Sequence, residues 1–203
     1  MVARHADEEW LIERARRGDL DAFNALVERY QPAIFNLCLR MLGRREAAED
    51  ATQETFLAGY RAVARLQGNH IGAWFLRIAA NACYDELRRR GRKPGGSLDA
   101  MLDDPEHPFT PPAHGPSPED EALHAEARRD IERALLQLPI DQRLAVILCD
   151  VEGLHYDEIA EVTRSSLGTV KSRISRGRSR MREILSAEAE HLPHGFRHQD
   201  EEA

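Results

Sequence analysis

Seven prolines and three glycines fall between Pro94 and Pro118. Proline removes a backbone hydrogen-bond donor and glycine loses the most entropy when it is ordered, so no regular element is expected to persist there. We predict a linker over residues 94–118, which separates an N-terminal block (7–93) from a C-terminal block (119–186). The polar tail, 187–203, is predicted to be disordered.

Both blocks show helical periodicity. Apolar residues recur three and four positions apart, convincing two-residue alternation is absent from the sequence, and β-branched residues are sparse. The spacing predicts helices over residues 21–41, 48–66, 72–91, 118–138, 141–150, 155–162 and 167–185. We therefore predict an all-α chain of two small helical domains joined by an acidic, Pro/Gly-rich linker.

The distribution of charge is more informative than its sum. The formal net charge of −7 argues against a general nucleic-acid binder. However, residues 164–182 contain seven basic residues and no acidic one, whereas residues 94–130 contain nine acidic residues and two arginines. Because local fields decide what a surface attracts, the basic segment remains a candidate for nucleic-acid binding.

The basic segment belongs to a predicted helix-turn-helix over residues 153–182. Ile159 on the first helix and Val170 and Ile174 on the second are placed to face each other. Ser166 is a natural N-cap, because its hydroxyl can accept hydrogen bonds from the free N–H groups of the next turn. The second helix would then enter the major groove. The alternative is an ordinary helical hairpin with a solvated basic face.

Other classes of site find little support in the sequence. Cys38, Cys83 and Cys149 lie far apart in apolar surroundings, which indicates reduced core thiols in a cytoplasmic protein. The sequence contains no CxxC or HExxH motif, phosphate-binding glycine loop or nucleophile elbow, so no metal, cofactor or enzymatic activity is expected. No apolar run is long enough to span a membrane, and the acidic N-terminus lacks the apolar core of a secretory signal.

Several segments resemble the extracytoplasmic-function (ECF) group of bacterial sigma factors. DAFNALVERY, AEDATQETFLAGY and AWFLRIAANACYDELRRR are similar to conserved region 2. The segment from Leu138 to Leu185 is similar to region 4, and the linker lies where this group lacks region 3. Region 1.1 is also expected to be absent.

The resemblance implies binding to core RNA polymerase, promoter recognition and DNA opening, without covalent chemistry. The implied partners are the β′ clamp coiled coil and β flap of the polymerase, promoter DNA, and an anti-sigma factor that could hold the protein at the membrane. The linker could thread through the polymerase or serve as a passive tether.

The resemblance also assigns residues to three surfaces. The surface that binds the β′ clamp would comprise Asp50, Gln53 and Glu54. The −10 reader, which would capture a base flipped from the non-template strand, would comprise Gln67, Asn69, His70, Trp74, Arg77, Asn81, Asp85 and Arg88. The −35 reader would comprise Arg164, Thr169, Lys171, Ser172, Arg173, Ser175 and Arg176.

Some of these assignments have alternatives. The acidic face could simply be solvated, and Trp74 could be a core residue. The turn of the helix-turn-helix carries Thr163-Arg164 where the family often has Leu-Gly, so its geometry is open. At the level of function, the competing hypotheses are a DNA-binding regulator with a sensory domain and, with less support, an enzyme.

Overall fold

The computed structural model describes residues 2–91 and 118–191, and no strand occurs within these two ranges. The first range forms the N-terminal module, whose helices are α1 (Val2–Arg16), α2 (Leu20–Leu42), α3 (Arg45–Ala62), a 3₁₀ turn (Val63–Arg65) and α4 (Ile71–Gly91). The second forms the C-terminal module, whose helices are α5 (Pro118–Leu136), α6 (Ile140–Val146), a π-helical segment (Ile147–Val151), α7 (Tyr156–Thr163) and α8 (Leu167–His191). The all-α prediction is confirmed. The linker prediction lies outside the described residues except at Pro118, which begins α5.

An aromatic cluster forms the centre of the N-terminal module. Phe75 of α4 is fully buried, and the rings of Phe23, Tyr30, Phe56 and Trp74 lie 5.2–6.2 Å from its centroid. Such tilted and edge-to-face pairs stabilise a core beyond their buried area alone. The helices α2, α3 and α4 therefore converge on one residue, as the apolar spacing predicts.

Helix α1 was not predicted, because seven of its fifteen residues are charged and its apolar residues form no clear stripe. Only two of its described side chains, Ile12 and Ala15, are fully or almost fully buried. Its end is fixed by local hydrogen bonds: Asp19 caps α2 by accepting from the Ala22 N–H at 3.1 Å, and Arg14 donates to the same carboxylate at 2.6 Å. A helix this polar is stabilised by tertiary packing more than by the intrinsic helix propensity of its residues.

The core of the C-terminal module contains Ile159, Val170 and Ile174, which were predicted to face each other, together with residues of α6 and the π-helical segment. Leu144, Ile147, Leu148, Ile159, Val170 and Ile174 are buried. Cys38 and Cys83 are buried as expected, whereas Cys149 is partly exposed. Cys149 nevertheless packs against the hydrophobic core, and all three thiols are free, as the sequence predicts.

Helix α8 continues to His191, beyond its predicted end at residue 185. Alanine and glutamate dominate residues 186–190, and both are strong helix formers. The predicted disordered tail therefore begins in a helix, and residues 192–203 lie outside the described part. None of the described helices is long and apolar enough to cross a membrane.

The two modules pack against each other. Helix α4 lies along α7, and the C-terminal end of α2 meets α5. At this junction Gly43, which ends α2 with φ +70°, leaves room for Leu136: a Cβ atom at position 43 would lie 2.7 Å from Leu136 Cδ1. Tyr84 of α4 also donates a hydrogen bond to Asp141 of α6 at 2.6 Å.

Candidate polymerase and nucleic-acid surfaces

The predicted polymerase-binding residues form one exposed face of α3. Asp50, Gln53 and Glu54 are all solvent-exposed, and their spacing of three and four residues places them together. Sequence analysis missed the apolar extension of this face: Leu57 is 53% exposed, and Tyr60 is 46% exposed. The face therefore combines negative charge with two large apolar side chains.

A groove of about 280 Å³ runs between this face and α4. Its carboxylates come from both helices: Asp50 and Glu54 from α3, and Asp85 and Glu86 from α4. Arg89 also lines it and pairs with Glu86. The structure thus places Asp85, predicted to read the −10 element, beside the predicted polymerase-binding residues.

The remaining predicted −10 residues follow one line along the N-terminal module. Gln67, Asn69 and His70 are exposed in the loop before α4, and Trp74, Arg77, Asn81 and Arg88 recur at helical spacing along α4. Trp74 is partly buried: it packs against Phe75, with ring centroids 5.2 Å apart, and its exposed part lines a cleft with His70 and Arg77. It therefore combines both roles considered for it, a core contact and an accessible aromatic surface.

The loop before α4 is held by α1. Arg16 Nη2 donates a hydrogen bond to the carbonyl of Gly68, whose positive φ of +72° favours glycine. Helix α1 also contacts the 3₁₀ turn that leads into the loop. Sequence analysis missed Arg16, and only the contact across more than fifty residues identifies it.

The turn of the helix-turn-helix adopts its geometry without glycine. Arg164 takes the left-handed conformation (φ 50°, ψ 44°) and ends α7. The Thr163 hydroxyl donates to the Ile159 carbonyl at 2.7 Å, and the Ser165 N–H donates to the Ala160 carbonyl at 3.1 Å. These bonds satisfy carbonyls at the end of α7. Thr163-Arg164 therefore forms the turn in the place where the family often has Leu-Gly.

At the start of α8, Ser166 is the N-cap that the sequence predicts. Its hydroxyl oxygen accepts from the Thr169 N–H at 3.2 Å. The hydroxyl of Thr169 also contacts Ser166 Oγ at 2.9 Å, and the Ser172 hydroxyl donates to the Thr169 carbonyl at 2.9 Å. Two of the predicted −35 side chains thus make local hydrogen bonds, Thr169 at the N-cap and Ser172 to the helix backbone.

The basic residues of α8 divide into two groups. Lys171 and Arg176 are solvent-exposed, as are the neutral Ser175 beside them and Arg164 in the turn. Arg173 forms an ion pair with Asp141 at 2.6 Å, and Arg178 Nε donates to Asp150 at 3.1 Å. This hydrogen bond holds the pKa of the Asp150 carboxyl below its usual value and raises that of Arg178. The first group lies on the exposed surface of the helix-turn-helix, whereas the second group binds α8 to the rest of the module.

Metal-binding geometry is absent from the described residues, where no three His, Cys, Asp or Glu side chains could hold an ion together.

Comparison with known proteins identifies both modules. The family model for Sigma-70 region 2 matches residues 26–93, and that for Sigma-70 region 4 matches residues 128–181. RNA polymerase sigma-H factor of Pseudomonas aeruginosa is 37% identical over 190 residues, which span 91% of this chain and 96% of that protein. ECF RNA polymerase sigma factor SigE of Mycolicibacterium smegmatis is 38% identical over 167 residues, or 82% of this chain and 63% of that relative.

A solved structure shows the same arrangement of helices. The sigma factor RpoE of Bartonella quintana, crystallised with the anti-sigma factor NepR, is 28% identical, with a TM-score of 0.64 over 83% of this chain and 99% of that one. The chain therefore belongs to the ECF sigma factors, the initiation factors that bind core RNA polymerase and recognise the −10 and −35 promoter elements through regions 2 and 4.

Proposed function

We propose that the exposed face of α3 is the contact with core polymerase and that the groove beside it is part of the same surface. The supporting observation is the set of four carboxylates from α3 and α4 that lines the groove. Such a surface fits a basic helical partner, here the β′ clamp coiled coil, and the exposed Leu57 supplies an apolar anchor. We assign Asp85 to this surface rather than to the −10 reader, because it lines the groove together with Asp50 and Glu54.

The −10 element is bound by the loop at residues 67–70 and by the exposed line along α4. Aromatic stacking on Trp74 and hydrogen bonds from Gln67 and Asn69 suit an unstacked base, and Arg77 and Arg88 suit phosphates. The −35 element is read as duplex by the start of α8. Lys171, Ser172 and Arg176 face the base edges, while Arg164, Thr169, Arg173 and Ser175 flank them.

Two further assignments complete the proposal. The chain acts without catalysis of its own, since its relatives are initiation factors. It is held inactive by an anti-sigma factor, as the complex of its structural neighbour RpoE with NepR suggests. The domain boundaries that we propose are 7–93 for region 2 and 119–186 for region 4.

Run-off transcription with purified core polymerase tests the proposal. We expect promoter-dependent RNA from the wild-type chain, and absence of RNA from every template of a genomic library would overturn the function. Replacement of Asp50, Gln53 and Glu54 by alanine should abolish co-purification with core polymerase. A matched control replaces Asp21, Asn24 and Glu28 by alanine; these residues form an exposed line on α2 with the same charge and one amide side chain.

A separate variant tests the assignment of Asp85. Asp85→Asn should weaken binding to core polymerase several-fold and leave −10 oligonucleotide binding by the assembled holoenzyme unchanged. Normal assembly combined with impaired promoter opening would instead return Asp85 to the −10 reader.

A further inference from the structure

Helix α1 contacts region 2 around the loop that carries three of the proposed −10 residues. We call this loop, residues 67–70, the reading loop. Before it, α1 contacts the 3₁₀ turn, whose Val63 is 3% exposed. Within it, Arg16 Nη2 donates a hydrogen bond to the Gly68 carbonyl. Helix α1 therefore touches both the reading loop and the segment that leads into it.

The segment after the reading loop is held through Tyr30 of α2. The Tyr30 hydroxyl donates to Glu8 of α1 at 2.9 Å, and Arg29 pairs with the same carboxylate at 3.1 Å. The ring of Tyr30 lies against Gly72, where a Cβ atom would come within 2.9 Å of Tyr30 Cε1. Gly72 is in the first turn of α4. Helix α1 is therefore joined to the start of α4 by one hydrogen bond and one close ring contact.

The reading loop is exposed along its whole length. At its end the hydrogen bonding is local, since the Asn69 carbonyl accepts from the Ile71 N–H at 3.0 Å. Gly68 has a φ of +72°, and a Cβ atom there would meet open space, so backbone conformation rather than packing explains this glycine. The hydrogen bond from Arg16 is thus a contact that joins the exposed loop to another helix.

Arg16 differs from the next arginine in the chain. The side chain of Arg16 is 22% exposed, whereas that of Arg17 is 77% exposed. Glu13 pairs with both, at 3.5 Å for Arg16 and 2.8 Å for Arg17. A hydrogen bond from a guanidinium to a carbonyl is charge-assisted, and it is stronger than one between neutral groups. Arg16 is therefore suited to restrain the loop, while Arg17 remains at the surface.

A restrained loop discriminates between bases better than a mobile one. Ordering a mobile loop on binding costs conformational entropy, which lowers affinity. A mobile loop can also adjust to a wrong base, whereas a fixed loop leaves its polar groups unpaired against that base. Gln67 and Asn69 lie on either side of Gly68, so a bond that fixes the Gly68 carbonyl restrains the backbone of both.

Resting on the proposed assignment of the −10 reader, we propose that Arg16 is a positioning residue for −10 recognition. It acts on the bases only through the reading loop. By holding the Gly68 carbonyl, it keeps Gln67 and Asn69 in the geometry that receives an unstacked base, while Glu8 and Tyr30 hold the start of α4. Base discrimination at the −10 element therefore depends on α1.

Arg16→Gln tests the proposal, and Arg17→Gln is its matched control. The control removes the same charge from the same end of α1 and leaves the contact with the loop intact. Each full-length variant is assembled with core polymerase. Affinity is then measured for a single-stranded −10 oligonucleotide of the sequence selected by run-off transcription, and for its single-base variants. In the free chain, amide hydrogen exchange is measured at Ile71 and Trp74, whose N–H groups donate to carbonyls of the reading loop.

We expect Arg16→Gln to bind core polymerase like the wild type. Its amides at Ile71 and Trp74 should exchange about tenfold faster, and its discrimination between the selected sequence and the single-base variants should fall by roughly fivefold, because one charge-assisted hydrogen bond is lost. Arg17→Gln should match the wild type in all three measurements.

Two results would overturn the inference. One is an equal loss of affinity for every oligonucleotide with unchanged amide exchange, which would identify Arg16 as a phosphate contact. The other is an effect of Arg17→Gln as large as that of Arg16→Gln. A wild-type holoenzyme that shows no discrimination at the −10 element would instead overturn the proposed function.

Tyr30→Phe tests the second contact without a change of charge. It keeps the ring against Gly72 and removes the hydrogen bond to Glu8. With native circular dichroism, this variant should show faster exchange at Trp74 and a loss of discrimination in the same direction as Arg16→Gln. Exchange and discrimination like those of the wild type in both variants would overturn the inference.

Discussion

Arg164 adopts a left-handed backbone conformation that β-carbon sterics make unfavourable for most residues. Its φ of 50° is the only positive value at a non-glycine residue in the described ranges. The conformation costs about 1–2 kcal/mol for an L-amino acid, so a glycine would be the less strained choice for the turn alone. The arginine is also exposed beside the proposed −35 reader, where its charge can bind a phosphate.

We expect Arg164→Gly to raise the free energy of unfolding by up to about 1 kcal/mol, because relief of strain outweighs the added entropy of the unfolded chain. Arg164→Ala keeps the strain and should give no such gain. Urea denaturation checks both variants. If Arg164→Gly and Arg164→Ala were equally stable, the turn would be unstrained. An equal loss of affinity for −35 duplex DNA in the two variants would identify Arg164 as a phosphate contact.

At the scale of elements, the close approach of α6 and α8 depends on one glycine. A Cβ atom at Gly177 would lie 2.6 Å from Val146 Cγ2 and 3.4 Å from the carbonyl oxygen of Gln142. In the same helix, the nearest such atom to a Cβ at Gly168 would be Ser166 Oγ, at 3.9 Å. The two glycines therefore differ in packing while they share a helix.

Gly177→Ala should lower the free energy of unfolding by about 1–3 kcal/mol, because the added methyl group forces Val146 or the helix axis to move. Gly168→Ala should raise it by about 0.5–1 kcal/mol, since alanine is the better helix former. The shift in urea midpoint at constant slope measures both effects. A Gly177→Ala protein as stable as the wild type would show that the two helices can separate at little cost.

The elements that sequence analysis placed correctly are those with local signals. Ser166 marks the start of α8 by its own side chain, and Gly43 ends α2 by its own conformation. Helix α1 was missed because its apolar residues are not arranged in a clear stripe. The groove around Asp85 and the contact of Arg143 with Met41 were missed because they join residues distant in sequence. Spacing within one helix cannot indicate which carboxylates of another helix lie beside it.

For the whole molecule, the ion pair between Asp150 and Arg178 makes the free energy of unfolding fall as the pH becomes acidic. The pKa of Asp150 is lowered chiefly by its hydrogen bond from Arg178, so the contribution of this pair is present above the unfolded value of about 3.9. It is lost as the pH falls through the lower folded value. Because the pair is partly exposed, its contribution at neutral pH is about 0.2–1 kcal/mol.

Asp150→Asn should therefore destabilise the protein at pH 7 by that amount, and the difference from wild type should begin to shrink as the pH falls below about 4 and disappear below the lowered pKa of the folded protein. Urea titrations at a series of pH values measure it. Arg178→Gln should weaken the same dependence. A difference that stays constant down to pH 3 would contradict the role of this pair.

The hydrogen bond from Arg16 to Gly68 has a practical consequence for work with fragments. The match to Sigma-70 region 2 begins at residue 26, so a shortened protein cut at that boundary omits all of α1. It would keep every side chain proposed to touch the −10 bases, yet the loop that displays three of them would lose its guanidinium anchor. Weak binding by such a fragment would report the missing scaffold rather than the affinity of the reader.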